Sequence, residues 1–342
     1  MCERLQTRSV VRLVLILMLG ICASLAILPF AEAAVAKALF IRFDPPNSIY
    51  PYEESINSFG AIAGSYLDSK SSHGFLRDSS GYIIAFDAAG SVYTEALAIS
   101  DNGVITGHYY DNNNASHGFI RAANGKVKQF DVAGATATAG IAINGAGVVA
   151  GYYIDAQSHG FVRAPDGTIA VYDPPGSTFV SPVSINSEGA VTGLYADGGT
   201  SYHGFVRSSD GLITTFDVAG ANITAPASIN DKGVIVGQFR MSDDSGDHGF
   251  IRAADGTFTS FDVPGSQHTY PSSINNAGTI AGSYEDPVDT VIRGFVRSKS
   301  GKMKLFSGPK HSEMDVCCIN KNGVTTGFYY VHFKYHGFLR VP

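Results

Sequence analysis

One pattern of about 44 residues recurs along most of the chain and constrains the fold more than any other feature. The fourth copy shows it in full: Ser-Ile-Asn from Ser184, an apolar run from Ala190, His-Gly-Phe-Val-Arg from His203, Asp-Gly at Asp210, and Phe-Asp at Phe216. Ser-Ile-Asn or a variant of it starts at Ser55, Ala98, Ala142, Ser184, Ser228, Ser273 and Cys318. His-Gly-Phe starts at His73, His117, His159, His203, His248 and His336, and Arg293 replaces the histidine in the sixth copy. The copies follow one another without a linker, which predicts a single domain.

Each copy, or unit, contains four short apolar runs separated by Asn, Asp and Gly, as is typical of strands joined by tight turns. We name the predicted strands a (ending in Ser-Ile-Asn), b (Ile-x-Gly-x-Tyr), c (His-Gly-Phe-x-Arg) and d (ending in Phe-Asp). Repeating four antiparallel strands radially leaves few exposed sheet edges. An open β-solenoid would have shorter repeats and capping units. The sequence therefore predicts an all-β, seven-bladed β-propeller with four antiparallel strands per blade.

The two ends of the repeat are offset from each other. The seventh unit stops after its strand c, near Arg340, and a run that reads as strand d precedes the first unit, at 39–44. The N-terminal strand 39–44 is therefore predicted to join the last blade and close the ring. In a c–d hairpin the histidine that opens c lies opposite the aspartate that ends d. This register predicts that His336 and Asp44 lie within about 4 Å of each other.

The recurring polar residues raise the question of metal binding, because imidazole is a common metal ligand. Equivalent residues lie around a ring, however, and strand c is about 10 Å farther from the axis than strand a. The repeated histidines therefore cannot converge on one ion, and each is predicted to bond the aspartate of its own blade. The repeated Arg and Asn residues are likewise predicted to stabilise the scaffold.

The N-terminus has the pattern of an export signal. A positive region, an apolar run and the small-residue site Ala31-Glu32-Ala33 predict a signal peptide at 1–33 and a propeller domain at 34–342. The alternative is an uncleaved membrane anchor. Cleavage predicts a secreted or periplasmic protein without membrane attachment. The mature chain would keep only Cys317 and Cys318, for which the sequence favours two buried thiols over a strained disulfide.

Charge and composition exclude some functions. The formal net charge is −6 and there is no basic run, so the sequence predicts no nucleic-acid partner. Motifs for a nucleophile elbow, a zinc protease or a phosphate loop are absent from the sequence. The chain has no Trp, the commonest platform for stacking sugars, but its 17 Tyr residues could serve instead. No cofactor is predicted beyond the calcium ion considered below.

The motifs of the unit resemble those of the extracellular HAF repeat family of exported bacterial proteins. His-Gly-Phe-x-Arg, Asp-Gly, Phe-Asp-Val-Pro-Gly and Ser-Ile-Asn-x-x-Gly-x-Ile-x-Gly carry this resemblance over about residues 39 to 342. This chain has Gly where the family name has Ala. The resemblance implies export and a repetitive β architecture, and it implies no particular activity.

Candidate site residues are the polar groups that do not repeat. The d-to-a and b-to-c loops should share one face, and units five to seven carry most of these groups. The predicted ligand-binding residues are Arg240, Arg293, Lys310 and His311. The candidate catalytic residues, a base and an anion anchor for polysaccharide cleavage, are His268, Arg293 and His311. Asp243, Asp244 and Asp247 offer oxygen ligands for Ca²⁺, although solvated loop acids are the favoured interpretation.

Two functions follow from this placement. The leading hypothesis is a secreted binding or scaffold propeller that recognises a polysaccharide or an extracellular protein at one face of units five to seven. The alternative is a carbohydrate-active enzyme, a polysaccharide lyase or a glycoside hydrolase, with its site at the channel mouth. A funnel with His268, His311 or Arg293 pointing inward would favour the enzyme. A flat, tyrosine-lined face would favour the binding hypothesis. Of the two functions, the sequence favours binding.

Overall fold

The computed structural model describes residues 38–242 and 246–342, without the side chain of Glu53. The predicted signal peptide at 1–33 lies outside these residues, as do Asp243 and Asp244. Residues Ala38–Pro342 form one compact unit. The described residues include no helix that could span a membrane.

The described part of the chain consists of short strands, with one turn of 3-10 helix at Pro309–His311. In chain order the strands are β1 (Leu39–Phe43), β2 (Tyr50–Ile56), β3 (Ile62–Leu67), β4 (Ser72–Arg77), β5 (Ile83–Phe86), β6 (Ser91–Ile99), β7 (Ile105–Asp111), β8 (Ser116–Arg121), β9 (Val127–Phe130), β10 (Ala137–Ile143), β11 (Val149–Ile154), β12 (Ser158–Arg163), β13 (Ile169–Tyr172), β14 (Phe179–Ile185), β15 (Val191–Ala196), β16 (His203–Arg207), β17 (Ile213–Phe216), β18 (Ala221–Ile229), β19 (Ile235–Met241), β20 (His248–Arg252), β21 (Phe258–Phe261), β22 (Thr269–Ile274), β23 (Ile280–Glu285), β24 (Ile292–Arg297), β25 (Met303–Phe306), β26 (Glu313–Ile319), β27 (Thr325–Val331) and β28 (Lys334–Val341).

The strands pair in the order in which they follow along the chain, as the repeat predicts. Within the described residues they form five four-stranded sheets and one eight-stranded sheet, β6 to β13. A single parallel residue pair, Ala137 with Ser116, joins the two halves of the larger sheet. All other ladders within the sheets are antiparallel meanders. This is an all-β fold with a β-propeller arrangement.

The N-terminal strand completes the sheet that contains the C-terminal strand. β1 pairs antiparallel with β28, from Leu39 opposite Val341 to Phe43 opposite Gly337. The ring of Phe40 stacks on that of Phe338 at 5.0 Å. His336 Nδ1 lies 3.0 Å from Asp44 Oδ1, which confirms the predicted contact across the two ends of the repeat.

The same His–Asp contact occurs within the other units that have this histidine, at 2.9–3.1 Å. The pairs are His73–Asp87, His117–Asp131, His159–Asp173, His203–Asp217 and His248–Asp262. In the sixth unit Arg293 instead contacts Asp286 and Asp289. The predicted register and the structural role of the histidines are therefore confirmed.

The repeated arginines link neighbouring units. Each guanidinium at the end of strand c lies 4.4–5.2 Å from the centre of an aromatic ring at the end of strand d in the preceding unit. Such cation–π contacts stabilise most when they are shielded from water. The pairs are Arg77–Phe43, Arg121–Phe86, Arg163–Phe130, Arg207–Tyr172, Arg252–Phe216, Arg297–Phe261 and Arg340–Phe306.

The asparagines of Ser-Ile-Asn form a second set of links between units. Each side-chain amide donates a hydrogen bond of 3.1–3.2 Å to the carbonyl oxygen at the same position of the next unit. The bonds run from Asn57 to Ser100, Asn144 to Asn186, Asn186 to Asn230, Asn230 to Asn275, Asn275 to Asn320, and Asn320 back to Asn57. The second unit has Ser100 at this position, and there the nearby Asn102 donates to Gly145 O at 2.8 Å.

Ser100→Asn is expected to raise stability by about 1 kcal/mol, because the new amide can donate to the Asn144 carbonyl as the other asparagines do. Thermal unfolding measures the change. Asn144→Ser is the matched control, and it should lower the melting temperature because it removes the equivalent bond to Asn186. A Ser100→Asn variant less stable than the parent protein would contradict this account of the links.

Glycine in strand b and phenylalanine in strand c occupy the tightest positions of each unit. All seven phenylalanines of strand c are fully buried: Phe75, Phe119, Phe161, Phe205, Phe250, Phe295 and Phe338. Each strand-b glycine faces a β-bulge in strand a, where the ladder shifts by one residue, as between Gly140 and Ala142 opposite Gly151. A methyl group on Gly151 would lie 2.1 Å from Ala139 O. Close packing at a bulge therefore accounts for these glycines.

Candidate functional site

A narrow channel runs between the strands a, which lie at the centre of the arrangement. One section is a cavity of about 210 Å³ to which every unit contributes. The residue that precedes Ser-Ile-Asn, or its variant, lines this cavity in each unit: Glu54, Leu97, Ile141, Val183, Ala227, Ser272 and Cys317. The Asn residues and the turns after strand a surround the adjoining section. Because the units differ at this position, the channel is not symmetric.

The units differ most on the side of the channel that faces the d-to-a and b-to-c loops. We call this side the channel mouth and define it by one pair of residues in each unit. The first residue of the pair lies in strand a, three positions before Ser-Ile-Asn or its variant, and the second is its partner in strand b. The pairs are Tyr52–Ser65, Glu95–His108, Ala139–Tyr152, Ser181–Leu194, Ala225–Gln238, Tyr270–Ser283 and Asp315–Phe328. The residue types at these positions do not repeat from unit to unit. The scaffold therefore does not constrain them, and they are the candidates for a functional role.

One aromatic cluster at the mouth joins the first and seventh units. Tyr50 lies 4.7 Å from Tyr335, ring centre to ring centre, and Tyr335 lies 4.7 Å from Tyr330. Tyr52 meets Phe328 edge-on at 6.2 Å. The Tyr52 side chain is 43% exposed, which leaves part of the cluster open to a ligand.

A second cluster lies in the neighbouring second unit. Tyr93 and Tyr110 pack edge to face at 5.7 Å, and the Tyr93 hydroxyl donates to a Glu95 carboxylate oxygen. His108 Nε2 lies 3.2 Å from the other oxygen of Glu95. Burial lowers the pKa of His108, while Glu95 opposes this shift. Burial and the Glu95 carboxylate together raise the pKa of Tyr93, so its hydroxyl remains a hydrogen-bond donor at neutral pH.

Carboxylates lie between and below these rings. Glu54 is the only charged residue among those that line the 210 Å³ cavity within the described part of the chain. Water reaches its side chain, but the walls of the channel surround it closely. This enclosure, reinforced by the charges of Glu95 and Asp315, raises the pKa of Glu54 to about 7. Asp315 accepts a hydrogen bond of 2.6 Å from Ser283.

The adjacent Cys317 and Cys318 form a disulfide beside Glu54, so the favoured prediction of two buried thiols is wrong. The β-bulge in β26 is the physical reason, because it sets two successive residues against one partner and lets both cysteines line the same cavity.

Of the residues predicted from sequence, the structure brings three together. Arg240 contacts both oxygens of Asp247, with a shortest distance of 2.7 Å, and His268 Nδ1 lies 2.9 Å from the same carboxylate. His268 stacks on Tyr270 at 5.9 Å. The bonds to Asp247 raise the pKa of Arg240. Asp247 is buried, and Arg240 and His268 already serve as its partners.

The other predicted residues contact different partners. Arg293 is held by Asp286 and Asp289. Lys310 Nζ lies 3.3 Å from His332 Nε2, and the exposed His311 lies 3.5 Å from the Ser307 hydroxyl.

Only part of the predicted calcium site lies within the described residues. Asp243 and Asp244 lie outside the described residues, while Asp247 takes Arg240 and His268 as partners. Within the described ranges, no group of three His, Cys, Asp or Glu side chains is placed to hold a metal ion. Calcium binding at 243–247 therefore stays a prediction.

Sequence reasoning missed Glu54, Tyr93, Glu95 and the aromatic clusters. These residues lie within strands, at positions where the seven units differ, whereas most residues predicted from sequence lie in or next to loops. His108 has no counterpart at the same position of the other units, which is a sequence signal for this site. Aligning the units column by column within the strands would have found the mouth.

Solved structures similar to this chain are propeller proteins. A streptogramin B lyase superposes with a TM-score of 0.58 and 14% identity over 88% of this chain and 97% of that chain. An oligogalacturonate lyase in complex with manganese gives 0.58 and 11% over 89% and 96%. A prolyl endopeptidase gives 0.61 and 11% over 86% of this chain and 51% of that chain, so this chain spans about half its length. At these identities the likeness shows the fold alone. No family model and no curated protein sequence matches the chain.

Proposed function

We propose that this protein is an exported, seven-bladed propeller that binds carbohydrate at the channel mouth. The observation that carries this proposal is the band of tyrosines contributed by units seven, one, two and three. Tyrosine presents a flat apolar face for stacking and a hydroxyl for hydrogen bonding, which suits a sugar ring. The open ring of Tyr52 and the carboxylates beside it provide the few polar groups that orient a ligand in an apolar site.

The count of seven blades has two supports besides the repeat. The eight-stranded sheet is joined across its middle by one residue pair, so we count it as two blades of four strands. The Arg–aromatic contacts step once through all seven units and return from Arg77 to Phe43 of β1.

Export and membership of the HAF repeat family are parts of the same proposal. The positive region, apolar run and small-residue site before Ala34 support export to the periplasm or beyond. A soluble carbohydrate or a surface polysaccharide would be accessible there. An extracellular protein partner is the competing ligand class, and it would leave the mouth unoccupied by sugars.

A carbohydrate-active enzyme is the second candidate, and one observation favours it. His108 and Glu95 place an imidazole and a carboxylate in contact at the mouth, a pairing that can move a proton. This pair replaces the predicted catalytic set of His268, Arg293 and His311, which the structure does not bring together.

Tyr52→Ala and Tyr93→Ala are each expected to weaken polysaccharide binding about tenfold, because each removes a stacking surface. Affinity electrophoresis against neutral and charged polysaccharides measures retention, and an assay for new reducing ends and unsaturated products scores cleavage. Tyr82→Ala is the matched control, since Tyr82 is 66% exposed in the turn between β4 and β5. Absence of retention on every polysaccharide, or equal loss in the control, would reject carbohydrate binding at this mouth. Cleavage that requires His108 would favour the enzyme.

A further inference from the structure

We infer that the carbohydrate bound at the channel mouth carries ammonium groups, as the repeating unit of a de-N-acetylated amino-sugar polymer does. This inference rests on the proposed function and specifies its ligand. It draws on the charges of the mouth, on the absence of a compensating cation among its residues, and on the aromatic rings that surround the charges.

Three neighbouring units contribute one carboxylate each. Glu54 comes from β2 in the first unit, Glu95 from β6 in the second and Asp315 from β26 in the seventh. Their charges interact, because both Glu95 and Asp315 oppose the ionisation of Glu54. Placing like charges together costs stability unless a cation shares them.

No protein cation shares these charges within the described residues. The cavity that contains Glu54 has no Lys, Arg or His among its lining residues. Arg240 is engaged by Asp247 and Arg293 by Asp286, so neither is free to neutralise the mouth. Glu95 and Asp315 accept hydrogen bonds from the neutral hydroxyls of Tyr93 and Ser283, which orient them without cancelling their charge. His108 also contacts Glu95, but burial lowers the pKa of this imidazole and so favours its neutral form.

The aromatic rings are the independent observation that points to a cationic ligand. Tyr52 and Phe328 flank the approach to Asp315, and Tyr93 touches Glu95 directly. Rings of this kind attract ammonium groups through their electron-rich faces. The attraction is strongest when the ammonium group has lost most of its hydrating water. A uronic acid would instead meet three carboxylates and be repelled.

One buried polar atom adds to this picture. His108 is nine-tenths buried, its Nε2 faces Glu95, and its Nδ1 has no hydrogen-bond partner among the described residues. A buried nitrogen without a partner is costly, and such atoms in native structures often mark a functional position. A ligand hydroxyl or a water molecule that accompanies the ligand would satisfy it.

An amino-sugar ring combines the two features that the mouth offers. Its pyranose face can stack on tyrosine, while its ammonium nitrogen, attached directly to the ring, reaches a neighbouring carboxylate. A simple polyamine shares the ammonium chemistry but has no ring to stack. A neutral N-acetylated sugar shares the ring but lacks the charge.

The test uses the whole exported protein and titration calorimetry at about pH 6, where amino-sugar nitrogens are charged. The probes are glucosamine oligomers, N-acetylglucosamine oligomers of the same length, galacturonate oligomers and spermidine. We expect the glucosamine oligomer to bind at least about tenfold more tightly than each of the others. We also expect this preference to shrink as sodium chloride rises from about 50 to about 500 mM, because salt screens exposed charges.

The variants Glu95→Gln and Asp315→Asn remove charge with little change of shape, and each is expected to reduce the preference about tenfold. Glu188→Gln is the matched control, because Glu188 is exposed in the turn between β14 and β15. Equal affinity of the wild type for the glucosamine and N-acetylglucosamine oligomers would overturn the inference and leave carbohydrate binding intact. Spermidine binding as tight as the glucosamine oligomer would also overturn it. Binding of no saccharide at all would reject the proposed function itself.

Discussion

Gly151→Ala is expected to destabilise the protein by about 3 kcal/mol, whereas Gly145→Ala changes its stability by less than about 0.5 kcal/mol. Both glycines belong to the third unit. A methyl group on Gly151 would lie 2.1 Å from Ala139 O and 2.5 Å from the ring of Phe161. The oxygen belongs to the backbone of a paired strand and the ring is fully buried, so neither can move without disturbing the sheet.

Gly145 is the control for Gly151, because it lies in the same unit but has open space around it. A methyl group at Gly145 would meet no atom within 4 Å. Urea unfolding of the two variants beside the parent protein measures the difference in free energy. If Gly151→Ala and Gly145→Ala unfold at the same urea concentration, the glycine of strand b is not required by close packing, and the bulge has room that the structure does not show.

Removal of strand β1 is expected to abolish the cooperative fold. A chain that begins at residue 45 instead of residue 38 would leave one edge of β28 unpaired and uncover Phe338, on which Phe40 stacks. It would also leave the buried His336 without its aspartate and Arg77 without the ring of Phe43. Unpaired edges promote association, and a buried polar group that loses its partner costs about 1–3 kcal/mol.

Circular dichroism melts and size-exclusion chromatography measure the outcome. A synthetic peptide of residues 38–44 should restore the melting transition in proportion to its concentration, because it binds only the folded chain. The control peptide carries Phe40→Ala and Asp44→Ala, which remove the stacking ring and the carboxylate, and it should restore much less. Equal melting temperatures for the chains that begin at residues 38 and 45 would show that β1 does not hold the two ends of the repeat together.

The scaffold could be predicted from sequence because its interactions repeat. A hydrogen bond such as that between His159 and Asp173 appears in the sequence as two residues at a fixed separation, recurring in other units. The sixth unit strengthens this reasoning, since Arg293 and Ser307 replace both members of the pair. Even the pairing of β1 with β28 follows from counting strands, although it joins residues at opposite ends of the chain.

The site could not be predicted in the same way. Residues there occur once, so recurrence gives no information about them, and they come from strands far apart in sequence. Arg240 was predicted to bind a ligand and His268 to take part in catalysis, but in the structure both contact the buried Asp247. Whether a charged side chain is free or already paired depends on which loops meet, and a linear sequence does not state this.

The four-strand unit, the joining of the N-terminal strand to the last sheet, and the structural role of the repeated His, Arg and Asn residues all follow from the sequence alone. Each of these can be read from strand alternation and from the recurrence of one pattern, even where the residues that pair are distant in sequence. Which of the unmatched residues meet depends on the tertiary structure. Glu54, Glu95 and Asp315 belong to three units, and Glu54 and Asp315 lie near opposite ends of the chain, yet the arrangement of strands a around one channel brings their charges together.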